Sequence, residues 1–123
     1  KHRRTFPGPL RMVVLSFLSV TESKGGGTMV WPESHKQIRA LAESNLQKYE
    51  YLLDLHNEVH LLDLGQPIEL MPKRGDVLFF QHLFAHAGTA NIRQTPRLAF
   101  RYLCTCRACE KWKHSLNWNL WTP

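Results

Sequence analysis

The chain predicts a mainly β fold, a sandwich or jelly roll with one inserted helical segment at about 34–55, and three observations predict it. Short apolar runs of strand length lie between Gly and Pro turn signals, at Arg11–Val20, Thr28–Trp31, Pro67–Met71, Asp76–Gln81 and Arg97–Cys106. A single excursion between Ser34 and Leu55 carries apolar residues at helical spacing instead. Helices do not alternate with the strands, as a parallel α/β sheet would require. At 123 residues the chain is at most one domain, read as a single partial domain over 1–123.

The elements follow in order. Residues 1–9 are an irregular, Pro-rich lead-in. Arg11–Val20 is apolar at Met12, Val13, Val14, Leu15, Phe17 and Leu18, the pattern of a strand covered on both faces. Gly25-Gly26-Gly27 is a turn that needs backbone freedom. Thr28–Trp31 is a short strand ended by Pro32. Ser34-His35-Lys36-Gln37 has the form of a capping box, with Gln three residues after Ser. Ile38, Leu41, Ala42, Leu46, Tyr49, Leu52 and Leu53 then recur at helical spacing. Ser44-Asn45-Leu46-Gln47 repeats the capping pattern, so one helix and two consecutive helices are both open. Residues 55–66 are ambiguous and end at Gly65. Pro72-Lys73-Arg74-Gly75 is a turn between Pro67–Met71 and the Val- and Phe-rich strand Asp76–Gln81. Thr95-Pro96 opens the last strand, Arg97–Cys106. Residues 107–123, with Trp112, Trp118 and Trp121, read as a tail that packs across the sheet.

Composition narrows the function classes. An apolar fraction of 43% is that of a globular rather than a disordered chain. No apolar run is long enough to span a membrane, so no membrane partner is expected. Pro7-Gly8-Pro9 interrupts any signal-peptide pattern after the basic start, and the absence of an initial Met points to a truncated or processed end. The net charge of +6 gathers at the two ends, at Lys1, Arg3, Arg4 and Arg11 and at Arg107, Lys111 and Lys113. Such ends read as solvated flanks rather than as the continuous basic face of a nucleic-acid binder. A basic rim would also suit an anionic small molecule. Cys104, Cys106 and Cys109 are too few and too close for a disulfide framework, which suggests a reducing, cytoplasmic setting. With His114 they could form a small zinc module, but their spacing lacks paired C-x-x-C knuckles, and apolar packing is the stronger reading.

The chemistry-bearing residues cluster late. His86 stands between an apolar strand and the turn at Gly88. Alone, a histidine there is more often a hydrogen-bonded structural residue than a ligand. Arg97 alternates with Ala99, Arg101 and Leu103 on one strand face, while Leu98, Phe100, Tyr102 and Cys104 take the other. Periodicity by itself favours the arginine face in water. If that face turned inward, the guanidinium would need an anion and would pair best with a carboxylate, in bidentate fashion.

Two linked motifs bear on this choice. Gly25-Gly26-Gly27-Thr28-Met29-Val30-Trp31-Pro32-Glu33-Ser34-His35-Lys36 resembles the GG-x-x-x-V/I-x-P-G-S-H element of the phytanoyl-CoA dioxygenase family. Gly75-Asp76-Val77-Leu78-Phe79-Phe80, then His86-Ala87-Gly88-Thr89-Ala90-Asn91, then Pro96-Arg97 resemble its G-D-x-x-x-F…H-x-G/S-x-x-N…P-R element. Order and spacing agree, and the resemblance spans roughly residues 11–106. It implies part of a double-stranded β-helix, an oxygenase jelly roll that uses Fe(II) as cofactor and 2-oxoglutarate as cosubstrate. By that resemblance His86 is the distal metal histidine and Arg97 grips the far carboxylate of 2-oxoglutarate. Thr89 and Asn91 support the turn or the cosubstrate. Iron held by two histidines and one carboxylate keeps three positions open, two for the oxo-acid and one for dioxygen. The partners implied are a small-molecule substrate and dioxygen.

The sequence departs from the family pattern in two places. Glu33 stands where the family has glycine. No His-x-Asp/Glu pair precedes Gly25, since His2 is followed by Arg3 and Arg4. His56-Asn57-Glu58 has that form, but it follows the Gly motif at an expected helix end, where positions two apart diverge. It reads as a surface coincidence. His35 reads as structural. His82 is a weaker metal candidate, sharing a face with His86 if one strand ran through both. The expectation is an incomplete fragment of an oxygenase, inactive alone, with a non-catalytic jelly-roll binding module as the alternative.

Overall fold

In the computed structural model, residues 4–5 and 11–105 are described. They form two antiparallel sheets of three strands each and two short helices. In chain order these are β1 (Arg11–Phe17), β2 (Thr28–Val30), α1 (Ser34–Ser44), α2 (Leu52–Glu58), a 3₁₀ turn (Val59–Leu61), β3 (Ile68–Leu70), β4 (Val77–Gln81), β5 (His86–Gly88) and β6 (Ala99–Thr105). The sheet orders are β4-β1-β6 and β3-β2-β5. The mainly β expectation is met, with helix confined to one excursion between β2 and β3. No helix among the described residues is long and apolar enough to cross a membrane.

Register explains which faces are inward. Val13 pairs with Phe80 and Leu103, Leu15 with Leu78 and Arg101, and Phe17 with Ala99. Directly opposed residues share a sheet face. Val13, Phe17 and Phe80 are all buried, so this face looks inward. Each such buried side chain stabilises the fold by roughly 1.5–3 kcal/mol. Met12, Val14 and Ser16 lie on the other face and are only half-buried. The strand is therefore not covered on both faces by the described residues, which corrects the reading of its apolar run.

Several boundaries also move. β1 stops at Phe17 rather than Val20, because Leu18 bonds only through its N–H to the Leu98 carbonyl before the chain turns toward Pro72. β2, β3 and β4 are each trimmed by one or two residues at their ends. β6 begins at Ala99, and Cys106 lies outside the described residues, as do Cys109, His114 and the tail tryptophans. β5 was not expected. The helical stretch is two helices, and the second starts at Leu52 rather than after Ser44. Asn45 instead closes a turn, its side chain accepting the Lys48 N–H.

Ser34 is not the helix cap that its sequence pattern suggests. It is the first helical residue, fully buried, and its hydroxyl accepts the Ala85 N–H at 2.9 Å. Glu33 precedes it in the left-handed region at φ 61. That conformation costs a non-glycine residue roughly 1–2 kcal/mol. Ile38, Ala42, Tyr49, Leu55 and Leu83 form a second core between the helices and the turn after β4.

Candidate functional site

The glycine tract is the foundation of the site. A Cβ on Gly25 would lie 2.8 Å from the Glu22 carbonyl oxygen, and one on Gly27 2.9 Å from that of Leu70. Gly26 has φ +75 and faces Asn91. All three positions therefore exclude a side chain. The turn before them is clamped by Glu69, which accepts the Lys24 N–H and the Ser23 hydroxyl, both at 2.8 Å. These bonds, with the Lys24 N–H first, hold the Glu69 pKa below its ordinary value. A depressed carboxylate stabilises the fold above its unfolded pKa and loses that contribution as pH falls through its folded pKa. Glu69→Gln should therefore be less stable than the natural chain at about pH 7, with the gap narrowing in acid below about pH 4. Thermal unfolding across that range checks it, and parallel pH curves would remove the clamp.

β2 leaves this turn with Thr28 and Val30 buried on one face and Met29 on the other. Val30 is opposite His86, and Thr28 is opposite Gly88. His86 therefore projects on the Val30 side of the sheet. Its ring meets Phe80 of β4 at 4.4 Å between centroids, so it faces the inward side of the other sheet. The His86 Nδ1–H donates to the Phe84 carbonyl at 2.9 Å. In the neutral ring this leaves Nε2 with a free lone pair, the arrangement typical of a metal-binding imidazole.

Arg97 approaches from the entry to β6. Its Nη1 donates to the Thr28 hydroxyl at 3.3 Å, across from one sheet to the other. Among the described residues no carboxylate lies within ion-pair distance of it. Arg97 stands two residues before β6 and is half-buried, and its bond to Thr28, not strand alternation, places its guanidinium on the buried Thr28 side of β2. Thr28 and Val30 are two residues apart on one face, about 7 Å along the strand. The imidazole and the guanidinium thus share one side of β3-β2-β5, one opposite Val30 and the other on Thr28.

Thr89 is placed next to this pair but is committed to the turn. Its N–H and its hydroxyl both donate to the Gly27 carbonyl, at 3.0 and 3.2 Å. Asn91 bridges Gly25 and caps its own loop through Arg93 N–H and Thr95 O. Both act as turn supports here.

The other histidines separate from the pair. His82 does not continue a strand to His86, because β4 ends at Gln81 and a turn intervenes. Its Nε2 donates to the Thr5 carbonyl at 2.8 Å. His35 lies against Phe84, and burial, then the Lys36 charge, lowers its pKa. His56 is exposed on α2, while Glu58 accepts the Tyr49 hydroxyl at 2.6 Å and pairs with Lys48. The Lys48 hydrogen bond is the main reason its pKa is lowered. The two do not converge on a ligand position with any third group: no set of three His, Cys, Asp or Glu among the described residues could hold a metal ion.

β5 is an edge strand, and a cavity of about 1140 Å³ opens beside it, with walls from Trp31, Leu55, Val59, Leu64, Phe84 and His86. In the sequence Thr28 and Phe80 are only positions of the two motifs and are given no role. Their signals were present, in the residue after the glycine tract and in the aromatic run before His86. No protein-family model and no curated protein matches the chain.

Proposed function

We propose that this chain is part of an Fe(II)/2-oxoglutarate-dependent dioxygenase of the phytanoyl-CoA dioxygenase type, built on a double-stranded β-helix. The observation that carries the reading is the placement of His86 and Arg97 on one side of β3-β2-β5. The two antiparallel sheets, the left-handed Glu33 where the family has glycine, and the glycine tract with no room for side chains all support it.

His86 fits as one metal ligand through Nε2, oriented by the Phe84 carbonyl. The described residues supply no second and third ligand to join it. No His-x-Asp/Glu precedes Gly25 in the sequence, so the reading looks for that pair upstream of Lys1. Arg97 binds the far carboxylate of 2-oxoglutarate, with Thr28 holding one edge of the guanidinium. Thr89 fixes the turn between them. When bound, iron supplies the oxidation: a substrate C–H becomes C–OH while 2-oxoglutarate and dioxygen yield succinate and carbon dioxide. The partners are a small-molecule substrate and dioxygen, in the cytoplasm, with no nucleic acid and no membrane.

Two measurements test this. The coding sequence immediately before Lys1 should contain His-x-Asp or His-x-Glu within a few tens of residues. Its absence would favour the non-catalytic jelly-roll module. The purified 123-residue chain should bind Fe(II) weakly and release no succinate, since a facial triad needs three ligands. Succinate from this chain would mean that an unrecognised carboxylate completes the site.

A further inference from the structure

The cavity beside β5 has a chemistry that the candidate pair does not use. Each surrounding element gives it an apolar wall: α1 through Ile38, α2 through Leu52 and Leu55, the 3₁₀ turn through Val59, and the turn after β4 through Leu83 and Phe84. Ile38, Leu55 and Leu83 belong to the second core, so the floor of the cavity is that core itself. At about 1140 Å³ it has room for a drug-sized molecule, for which pockets of roughly 300–1,000 Å³ are usual. His86 and Ala87 of β5 stand in its wall, so the cavity reaches the imidazole. Arg97 and Thr28 do not line it, so the guanidinium stands apart.

Charge separates this cavity from an anion site. Among the described residues no Lys or Arg lines it, and Asp63 is its one Asp or Glu. That side chain is exposed and accepts the Gly65 N–H at 3.0 Å. The other polar groups in the wall are the Trp31 indole and histidine rings. His56 and His60 stand four residues apart, a spacing that brings two side chains to one helical face, and both are exposed and line the cavity. An anion entering here would lose water, meet Asp63 and find neither guanidinium nor ammonium, and an unpaired buried charge is costly. An apolar molecule with a hydroxyl, carbonyl or amide group would instead bury its surface on the leucines and hydrogen-bond to the rings.

We propose that this cavity is the substrate site and that it takes an uncharged, mainly apolar small molecule, presented free and not on a phosphate-bearing carrier such as coenzyme A. The inference rests on the reading of His86 as a metal ligand, because that imidazole stands in the cavity wall while Arg97, assigned to 2-oxoglutarate, stands outside it. His56 then serves the substrate rather than the metal, as a hydrogen-bond partner near the mouth.

The test uses the 123-residue chain and two dyes built on the same rings, uncharged N-phenylnaphthylamine and its sulfonated form, anilinonaphthalene sulfonate. The uncharged dye should bind saturably with enhanced emission. The sulfonate should bind at least about ten-fold more weakly, because its charge finds no cation in the cavity. Free coenzyme A should not displace the uncharged dye. Val59→Trp, which fills the cavity, should weaken binding of that dye several-fold while circular dichroism stays unchanged. If this variant does not fold, His60→Trp at an exposed position serves the same purpose. Leu53→Arg, at a wall position 54% exposed, should narrow the difference between the dyes. Equal binding of both dyes, displacement by coenzyme A, or no saturable binding would each overturn the proposal. So would dye binding that ignores the filled cavity, or a dye difference that Leu53→Arg leaves unchanged. None of these readouts involves iron, 2-oxoglutarate or succinate, so the proposal can fail with the oxygenase reading intact. An upstream sequence without the His-x-Asp/Glu pair would remove that reading without altering dye binding.

Discussion

If the proposed reading holds, His86→Ala should abolish iron-dependent succinate formation in a longer chain that carries the His-x-Asp/Glu pair. On that reading the substitution removes the imidazole whose Nε2 is left to take the metal once Nδ1–H donates to the Phe84 carbonyl. Loss of an outer partner of a metal ligand typically costs about 10–100-fold in affinity or activity, and loss of the ligand itself should cost more. The fold should survive, because His86 is exposed and its ring contributes one aromatic contact to Phe80. Arg97→Lys should behave differently. Lysine keeps the charge but loses the planar fork that grips a carboxylate and the Thr28 hydroxyl together. A hydrogen bond to a charged group contributes about 1.5–3 kcal/mol, so the 2-oxoglutarate requirement should rise roughly 10–100-fold. The rate at saturating 2-oxoglutarate should change far less. Titration of succinate release against 2-oxoglutarate separates the two variants. Full turnover by His86→Ala, or an unchanged 2-oxoglutarate requirement in Arg97→Lys, would remove these residues from the roles assigned to them.

The second large effect is on folding. Gly27→Ala should destabilise the chain severely. The new Cβ would sit 2.9 Å from the Leu70 carbonyl oxygen, which belongs to rigid backbone in β3. The strand must then move, and Thr28 pairs with that same Leu70. The Gly27 carbonyl also receives both bonds from Thr89, so a shift there disturbs β5 as well. Overpacking costs typically 1–3 kcal/mol, and each lost hydrogen bond about 1 kcal/mol more. Against a net stability of about 5–15 kcal/mol, a fall in Tm of more than about 10 °C is expected. Gly88→Ala is the control. Its Cβ meets nothing within 4 Å and its backbone needs no positive φ, so its Tm should stay close to that of the natural chain. Equal Tm values for the two variants would mean that the turn tolerates a side chain after all.

Much of this architecture was legible in the sequence, and the failures have physical causes. β4 and β6 were readable because each carries enough β-branched and aromatic residues between clear turns. β5 was not, since three residues ending in Gly88 give no period to count. The cap at Ser34 failed because a buried hydroxyl found a tertiary donor, Ala85 N–H, instead of its own helix. The strand of Arg97 is the most instructive case. Alternation correctly told which residues share a face, but not which face is inward. Hydrophobicity pointed Phe100 and Tyr102 to the core, yet both are exposed, and Arg97 stands before the strand, held by its bond to Thr28. Only a contact with another strand, here Thr28 of β2, decides that question, and such a contact is long-range. The geometry of the candidate pair was accessible by resemblance, through the spacing of His86 and Arg97, rather than from periodicity.

β2 has a consequence for how this protein can vary. It is three residues long and is paired on both edges, so it acts as a gauge bar. The gap between imidazole and guanidinium is set by the step from Val30 to Thr28, not by the loop that joins their own strands. The loop at 92–95 is exposed, but the Ile92 N–H and the Arg93 side chain tie it to the Lys24 and Ser23 carbonyls before the glycine tract. A slip of one residue along β2 would turn Thr28 and Val30 away from both groups, because successive side chains face opposite ways. Substitution should therefore be tolerated least along β2.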